Sequence, residues 1–201
     1  RIFWENHAAS LAHETKKWYD VAYAARVTPW GYAEKYGEVA YQMDIAGILF
    51  DMDGVLVDSE PVITEAAIRA LRQYGVEAKE ADFKPFTGMG EVRFIGGVAE
   101  KYGKPFVPEM KTLTYEIYGQ IVDEHLKVYA GTLDALRALS GYRLALASSA
   151  DLVKVRHNLR VAHIPFATFA AIVTAEDVAR KKPDPAIFLT AAEKLGLPAS
   201  R

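Results

Sequence analysis

The sequence of 201 residues contains no cysteine, which excludes disulfides, thiolate metal sites and cysteine nucleophiles. It has no excess of one charge: 24 basic and 26 acidic residues give a formal net charge of −2, so composition does not indicate nucleic-acid binding. Apolar runs such as residues 45–50 are far shorter than the ~18 residues of a membrane-spanning helix. No signal peptide is recognisable. These absences favour a soluble protein of a reducing compartment or an organelle.

Short apolar runs alternate with amphipathic stretches from residue 44 onward. Three runs are interpreted as buried strands, at residues 45–50, 144–147 and 171–174. Helical spacing predicts helices at residues 61–74, 91–102, 109–127, 151–162 and 185–195. Strands that alternate with helices are typical of an α/β fold with a doubly wound parallel sheet. The helical stretch 60–128 is too long for a normal crossover, so we interpret it as an inserted helical cap on a core of residues 44–59 and 129–201.

The first 43 residues form a separate, aromatic-rich segment. All three tryptophans, Trp4, Trp18 and Trp30, fall in it, and apolar residues at steps of three and four predict a helix. One interpretation is a helix that packs its apolar stripe on its own domain. The other is an arm that docks into a larger assembly, with the tryptophans as partner-binding anchors.

The strongest chemical signal is the pair of carboxylates in Asp51-Met-Asp-Gly, directly after the first predicted strand. Open α/β sheets bind their ligands at the carboxyl ends of the strands. In such a pair, Asp51 can attack phosphorus while Asp53 exchanges a proton with the leaving group or water. Mg²⁺ with oxygen ligands suits two neighbouring carboxylates. The plainer alternative is an acidic turn, since aspartates are common in loops.

Two further polar groups follow the later strands. Ser148 and Ser149 end the second strand, where hydroxyl and backbone N–H groups can hold a phosphate at a helix N-terminus. Lys182, in Lys-Pro-Asp-Pro, precedes the last helix and can neutralise phosphate charge. Taken singly, Ser148 is better explained as a helix cap and Lys182 as a solvated surface charge.

In their order along the chain, these features resemble the haloacid dehalogenase (HAD) superfamily of phosphotransferases. The segments 51–59 and 182–188 carry the resemblance, which spans residues 44–201 and is greatest to the β-phosphoglucomutase-like branch with a helical cap. Residues 86–99 narrow it further, because they are similar to the cap of the HAD domain in plant and algal suppressor-of-quenching proteins. That narrower resemblance implies a plastid location.

The resemblance implies a role for each core residue. Asp51 is expected to be the nucleophile and a Mg²⁺ ligand, and Asp53 the general acid and base whose backbone carbonyl also faces the metal. Ser148, Ser149 and Lys182 are expected to bind the transferred phosphoryl group.

The segment 88–93 is expected to be the cap loop that meets the substrate, through Gly88, Gly90, Glu91 and Arg93. Without the resemblance, this segment is a glycine-rich connection. The mutase branch often has arginine at the position aligned with Glu91, so glucose-phosphate mutase activity is not favoured.

One departure from the family pattern leaves two hypotheses open. Family members carry a further acidic metal-binding motif after one more strand, and this sequence ends at Arg201 before that position. The first hypothesis is a Mg²⁺-dependent phosphatase for a small phosphorylated metabolite. The second is a non-catalytic subunit of a large, organellar or photosynthetic assembly, bound through residues 1–43 or through an open sheet edge.

Overall fold

A computed structural model describes residues 45–197. Its strands and helices, in chain order, are β1 (Gly47–Phe50), β2 (Val57–Asp58), α1 (Glu60–Arg72), α2 (Glu80–Phe83), α3 (Glu91–Lys101), α4 (Pro108–His125), β3 (Lys127–Val128), α5 (Thr132–Ala138), β4 (Arg143–Ala147), α6 (Leu152–Val161), β5 (Ala171–Val173) and α7 (Ala186–Lys194). Short 3₁₀ turns lie at Lys84–Phe86, Phe166–Thr168 and Ala175–Asp177. No helix in this part of the chain has both the length and the apolar character to cross a membrane.

The centre of the fold is a three-stranded parallel sheet in the order β1-β4-β5. Side chains alternate across a strand, so the two faces of β4 bury different residues. Leu144 and Leu146 pack with residues of α5 and α6, whereas Ala145 and Ala147 pack with residues of α7. Helices therefore cover both faces of the sheet, which confirms the α/β class predicted from the sequence.

Helices α1 to α4 form a second layer, here called the helical unit (residues 60–125), with its own apolar cluster. Its largest fully buried side chains include Leu71, Phe83, Ile95 and Tyr118. Full burial of one large apolar side chain contributes about 1.5–3 kcal/mol, so this cluster is a main source of the packing energy between the four helices.

A two-residue antiparallel pair joins the helical unit to the sheet. Val57 of β2 pairs with Val128 of β3, and Asp58 pairs with Lys127. The chain therefore enters and leaves the helical unit at one point. Two residues are too few to show an alternating pattern, so sequence reasoning missed both strands.

Gly97 marks the tightest packing in α3. A Cβ atom at this position would meet the ring of Phe86, with its Cζ atom 2.5 Å away. We expect Gly97→Ala to lower the free energy of unfolding by about 1–3 kcal/mol through overpacking, although alanine favours helix. Chemical denaturation measures this, with Gly141→Ala as the matched control, because no atom of the described residues, neighbours in the chain aside, lies within 4 Å of the added Cβ there. Equal stability of the two variants would show that the Phe86 ring does not pack tightly against Gly97.

Candidate active site

A cavity lies at the carboxyl ends of the parallel strands, between the sheet and the helical unit. Asp51 and Asp53 follow β1, Ser149 follows β4, and Lys182 lies between β5 and α7; all four line the cavity. Parallel strands end at one edge of the sheet, which is why residues distant in sequence meet there. Glu91, at the start of α3, faces them from the helical unit.

Asp51 and Lys182 form an ion pair at this edge. The Nζ atom of Lys182 lies 2.7 Å from Oδ2 of Asp51, and Oδ1 of Asp51 accepts a hydrogen bond from the Met52 N–H at 2.8 Å. Lys182 also donates to the Ala147 carbonyl at 3.3 Å, and its Nζ lies 4.7 Å from the centre of the Phe188 ring. Burial raises the pKa of Asp51, and the Lys182 charge opposes that rise.

Asp53 is held by a second set of contacts. Its Oδ1 atom accepts hydrogen bonds from the Ser59 hydroxyl and, at 3.4 Å, from the Asn158 side-chain amide. Its Oδ2 atom lies 3.2 Å from Nζ of Lys154. Asp51 and Asp53 therefore have separate cationic partners, so the two carboxylates are in different environments.

Lys154 is a buried cation shared by two carboxylates. Only 4 % of the residue is exposed, and its Nζ lies 3.6 Å from Oε1 of Glu91 as well as next to Asp53. Burial alone lowers the pKa of a lysine, but the charges of Asp53 and Glu91 outweigh it and raise the pKa of Lys154. The ammonium therefore stays charged and links α6 to the start of α3.

Glu91 is a buried carboxylate with one oxygen unsatisfied. The residue is 7 % exposed, and no donor in the described part of the chain makes a hydrogen bond to its Oε2 atom. Burial raises the pKa of Glu91, and the Lys154 charge opposes that rise. The preceding residue, Gly90, has a φ of 81°, a left-handed conformation that favours glycine and sets the direction in which α3 begins.

The residues predicted for phosphate binding lie at different depths. Ser149 lines the cavity, and its buried hydroxyl has no hydrogen-bond partner among residues 45–197. Ser148 is fully buried, and its hydroxyl accepts a hydrogen bond from the Ala150 N–H at 3.1 Å, a local turn contact. Of the three residues predicted to bind phosphate, Ser149 and Lys182 therefore line the cavity and Ser148 does not.

Some residues of the predicted cap loop line the cavity, and one does not. Gly88, Gly90 and Glu91 line the cavity. Arg93 is not among the lining residues: its side chain is 61 % exposed, pairs with Glu100 at 4.0 Å and lies 5.9 Å from the centre of the Phe86 ring.

The partner-binding prediction for the amino-terminal segment has no structural counterpart here. Trp4, Trp18 and Trp30 lie outside the described residues. Their role in docking stays a prediction.

Sequence reasoning missed Lys154 and Asn158. Both lie on the buried face of α6 with Val155 and Leu159. A lysine and an asparagine four residues apart on the apolar face of a helix were the available signal, since such side chains are rarely buried without polar partners.

The donor atoms for a metal ion are few but of the right chemistry. Within residues 45–197, no cluster of three or more histidine, aspartate or glutamate side chains could hold a metal. Mg²⁺ is usually held by one or two carboxylates, with water and substrate phosphate completing its coordination. Asp51 lines the cavity and offers carboxylate oxygens of this kind. The Mg²⁺-ligand roles of Asp51 and of the Asp53 carbonyl stay predictions.

Comparison with known proteins establishes the family. Residues 45–201 match the haloacid dehalogenase-like hydrolase family, so the chain belongs to it. A putative β-phosphoglucomutase from Thermotoga maritima has a similar structure, with a TM-score of 0.57 and 29% identity over 76% of this chain and 71% of its own. The resemblance to the HAD superfamily and to its β-phosphoglucomutase-like branch is thereby confirmed.

Two relatives are more similar in sequence. The chloroplastic protein SUPPRESSOR OF QUENCHING 1 of Arabidopsis thaliana is 41% identical over 165 residues, which are 78% of this chain. This chain matches only 15% of that protein's length. The phosphorylated carbohydrates phosphatase of Thermotoga maritima is 32% identical over 75% of this chain and 70% of its own.

Proposed function

We propose that this protein is a Mg²⁺-dependent phosphatase that hydrolyses a small phosphorylated metabolite through an aspartyl-phosphate on Asp51. The observation that supports it best is the position of the Asp51–Lys182 ion pair, 2.7 Å long, at the end of β1 beside Asp53. A nucleophilic carboxylate, a proton-transfer carboxylate and a cation for the phosphoryl group then share one cavity.

The reaction has two steps. In the first, a carboxylate oxygen of Asp51 attacks phosphorus, the bond from phosphorus to the leaving oxygen breaks, and protonated Asp53 gives its proton to the leaving oxygen. In the second, water attacks phosphorus, Asp53 takes a proton from that water, and orthophosphate leaves as the Asp51 carboxylate is restored. One water is consumed for each phosphoester cleaved. Bound Mg²⁺, held by Asp51 and the Asp53 carbonyl, would neutralise charge on the phosphoryl group.

The contacts around the two aspartates suit these roles. Lys182 balances negative charge at Asp51 and on the phosphoryl group. Ser59, Asn158 and Lys154 fix the position of the Asp53 carboxyl group, which keeps it beside Asp51 where it can exchange a proton with the leaving oxygen or with water. The helical unit acts as the cap and excludes water when the cavity closes.

The comparisons support hydrolysis of a phosphorylated carbohydrate or a similar ester, since one relative bears that activity in its name. The cap loop has the acidic residue Glu91 at the position where the mutase branch often has arginine. This difference favours hydrolysis over phosphomutase transfer. The identity to the chloroplastic relative supports a plastid location.

Metal dependence offers the direct test of the proposed activity. With Mg²⁺ present, we expect the purified protein to release phosphate from p-nitrophenyl phosphate. A chelator is expected to abolish phosphate release, because it removes the metal ion that neutralises charge on the phosphoryl group. Added Mg²⁺ should restore the release. Phosphate release measured with and without the metal checks this. No release under any condition, or release unaffected by the chelator, would contradict the proposal.

A further inference from the structure

The two sides of the cavity carry different charge. On the side of the sheet, both lysines that line it are already paired: Lys182 with Asp51, and Lys154 with Asp53 and Glu91. On the side of the helical unit, Glu60 and Glu91 line the cavity, and no lysine or arginine of the described helical unit does. The phosphoryl group belongs at the sheet edge, so the leaving group faces the acidic side.

Glu91 supplies the group that points to a ligand. It is more than nine-tenths buried and lines the cavity. Among the described residues its Oε2 atom accepts no hydrogen bond of normal geometry, although the Tyr115 hydroxyl, also unsatisfied, interacts with the same carboxyl group. A buried charged oxygen without a partner is costly, and a ligand that donates a hydrogen bond to it removes that cost. An ionised carboxylate or phosphate group of the leaving alcohol cannot, because that group has no donor and repels the Glu91 carboxylate.

The nearest cation of the cap loop does not offset this charge. Arg93 lies outside the cavity, with an exposed side chain directed toward Glu100 and Phe86. Thr87, which lines the cavity, donates its hydroxyl to Glu60 at 2.9 Å, so it is engaged with a second carboxylate on this side.

From this arrangement we infer a substrate class: phosphomonoesters whose leaving alcohol is uncharged or carries a hydrogen-bond donor, with Glu91 discriminating against leaving groups that bear a carboxylate or a second phosphate. The inference rests on the proposed function and adds its specificity. Like charges placed together cost far more than neutral contacts, so one carboxylate can set this preference.

A series of three aryl phosphates tests the inference: phenyl phosphate, 4-carboxyphenyl phosphate and 4-(aminomethyl)phenyl phosphate. They differ in one substituent, so ratios of kcat/KM within one variant cancel general losses of activity. For the unaltered protein we expect phenyl phosphate to exceed 4-carboxyphenyl phosphate by about tenfold or more, and the aminomethyl compound to be at least as good as phenyl phosphate. In Glu91→Gln the preference over the carboxyl compound should shrink to within about threefold.

Glu100→Gln is the matched control, since it removes one negative charge from α3 on its exposed side. Its substrate ratios should equal those of the unaltered protein. Equal kcat/KM for the three substrates, or an unchanged ratio in Glu91→Gln, overturns the inference while leaving the phosphatase intact. No hydrolysis of any of the three overturns the proposed function itself.

Discussion

Replacing Lys154 with methionine is expected to lower the free energy of unfolding by about 3–5 kcal/mol, as removal of one partner from a buried ion pair does. Methionine has a similar length, so the change removes the charge and leaves the packing of α6 nearly intact. Glu91, at 7 % exposure, then has no cation beside it, and Asp53 loses its contact at 3.2 Å. Urea denaturation at neutral pH measures the loss.

Two further variants separate charge from packing. Lys154→Arg keeps the positive charge and should recover part of the stability. The double variant Lys154→Met with Glu91→Gln removes the unpaired carboxylate as well, so it should be more stable than Lys154→Met alone. If the double variant showed only the sum of the two single losses, Lys154 and Glu91 would not be coupled as their 3.6 Å separation indicates.

Asp51→Asn is expected to reduce hydrolysis of p-nitrophenyl phosphate by about 10⁴-fold or more, as loss of a catalytic nucleophile does. Asparagine has the same shape, and its side-chain oxygen can still accept the hydrogen bond from the Met52 N–H. The amide is a poor nucleophile, however, and cannot form the aspartyl-phosphate. We therefore expect the fold to persist while turnover is lost, which rate measurements beside a thermal melt will establish.

The control for that experiment is Asp134→Asn, an exposed position in α5 whose carboxylate pairs, within residues 45–197, with Arg137 alone. Its turnover should match that of the unaltered protein. If Asp51→Asn retained activity within tenfold of the unaltered protein, Asp51 would not be the nucleophile.

Much of the fold could be predicted from the pattern of apolar and polar residues in the sequence. The apolar runs at 45–50, 144–147 and 171–174 are found as β1, β4 and β5, because buried parallel strands are continuously apolar. The short pair of β2 and β3 was not predictable, since its two-residue strands are defined by pairing partners far apart in the chain.

Less of the candidate site than of the fold could be predicted from the sequence. Asp51, Asp53 and Lys182 stand where the chain leaves the sheet, and the order of strands alone brings such positions together. The contact of Lys154 with Asp53 and Glu91 depends on how α6 and α3 pack, which no local spacing specifies. The position of Arg93 outside the cavity was not predictable either. It depends on the direction in which α3 leaves the loop 88–90.

Mass spectrometry of protein quenched in acid during turnover can detect an aspartyl-phosphate on Asp51. We expect a peptide containing Asp51 to gain the mass of one phosphoryl group during hydrolysis of p-nitrophenyl phosphate, and Asp51→Asn to show no such gain. Sustained turnover with no phosphoryl group on Asp51, or with the group on another residue, would contradict it.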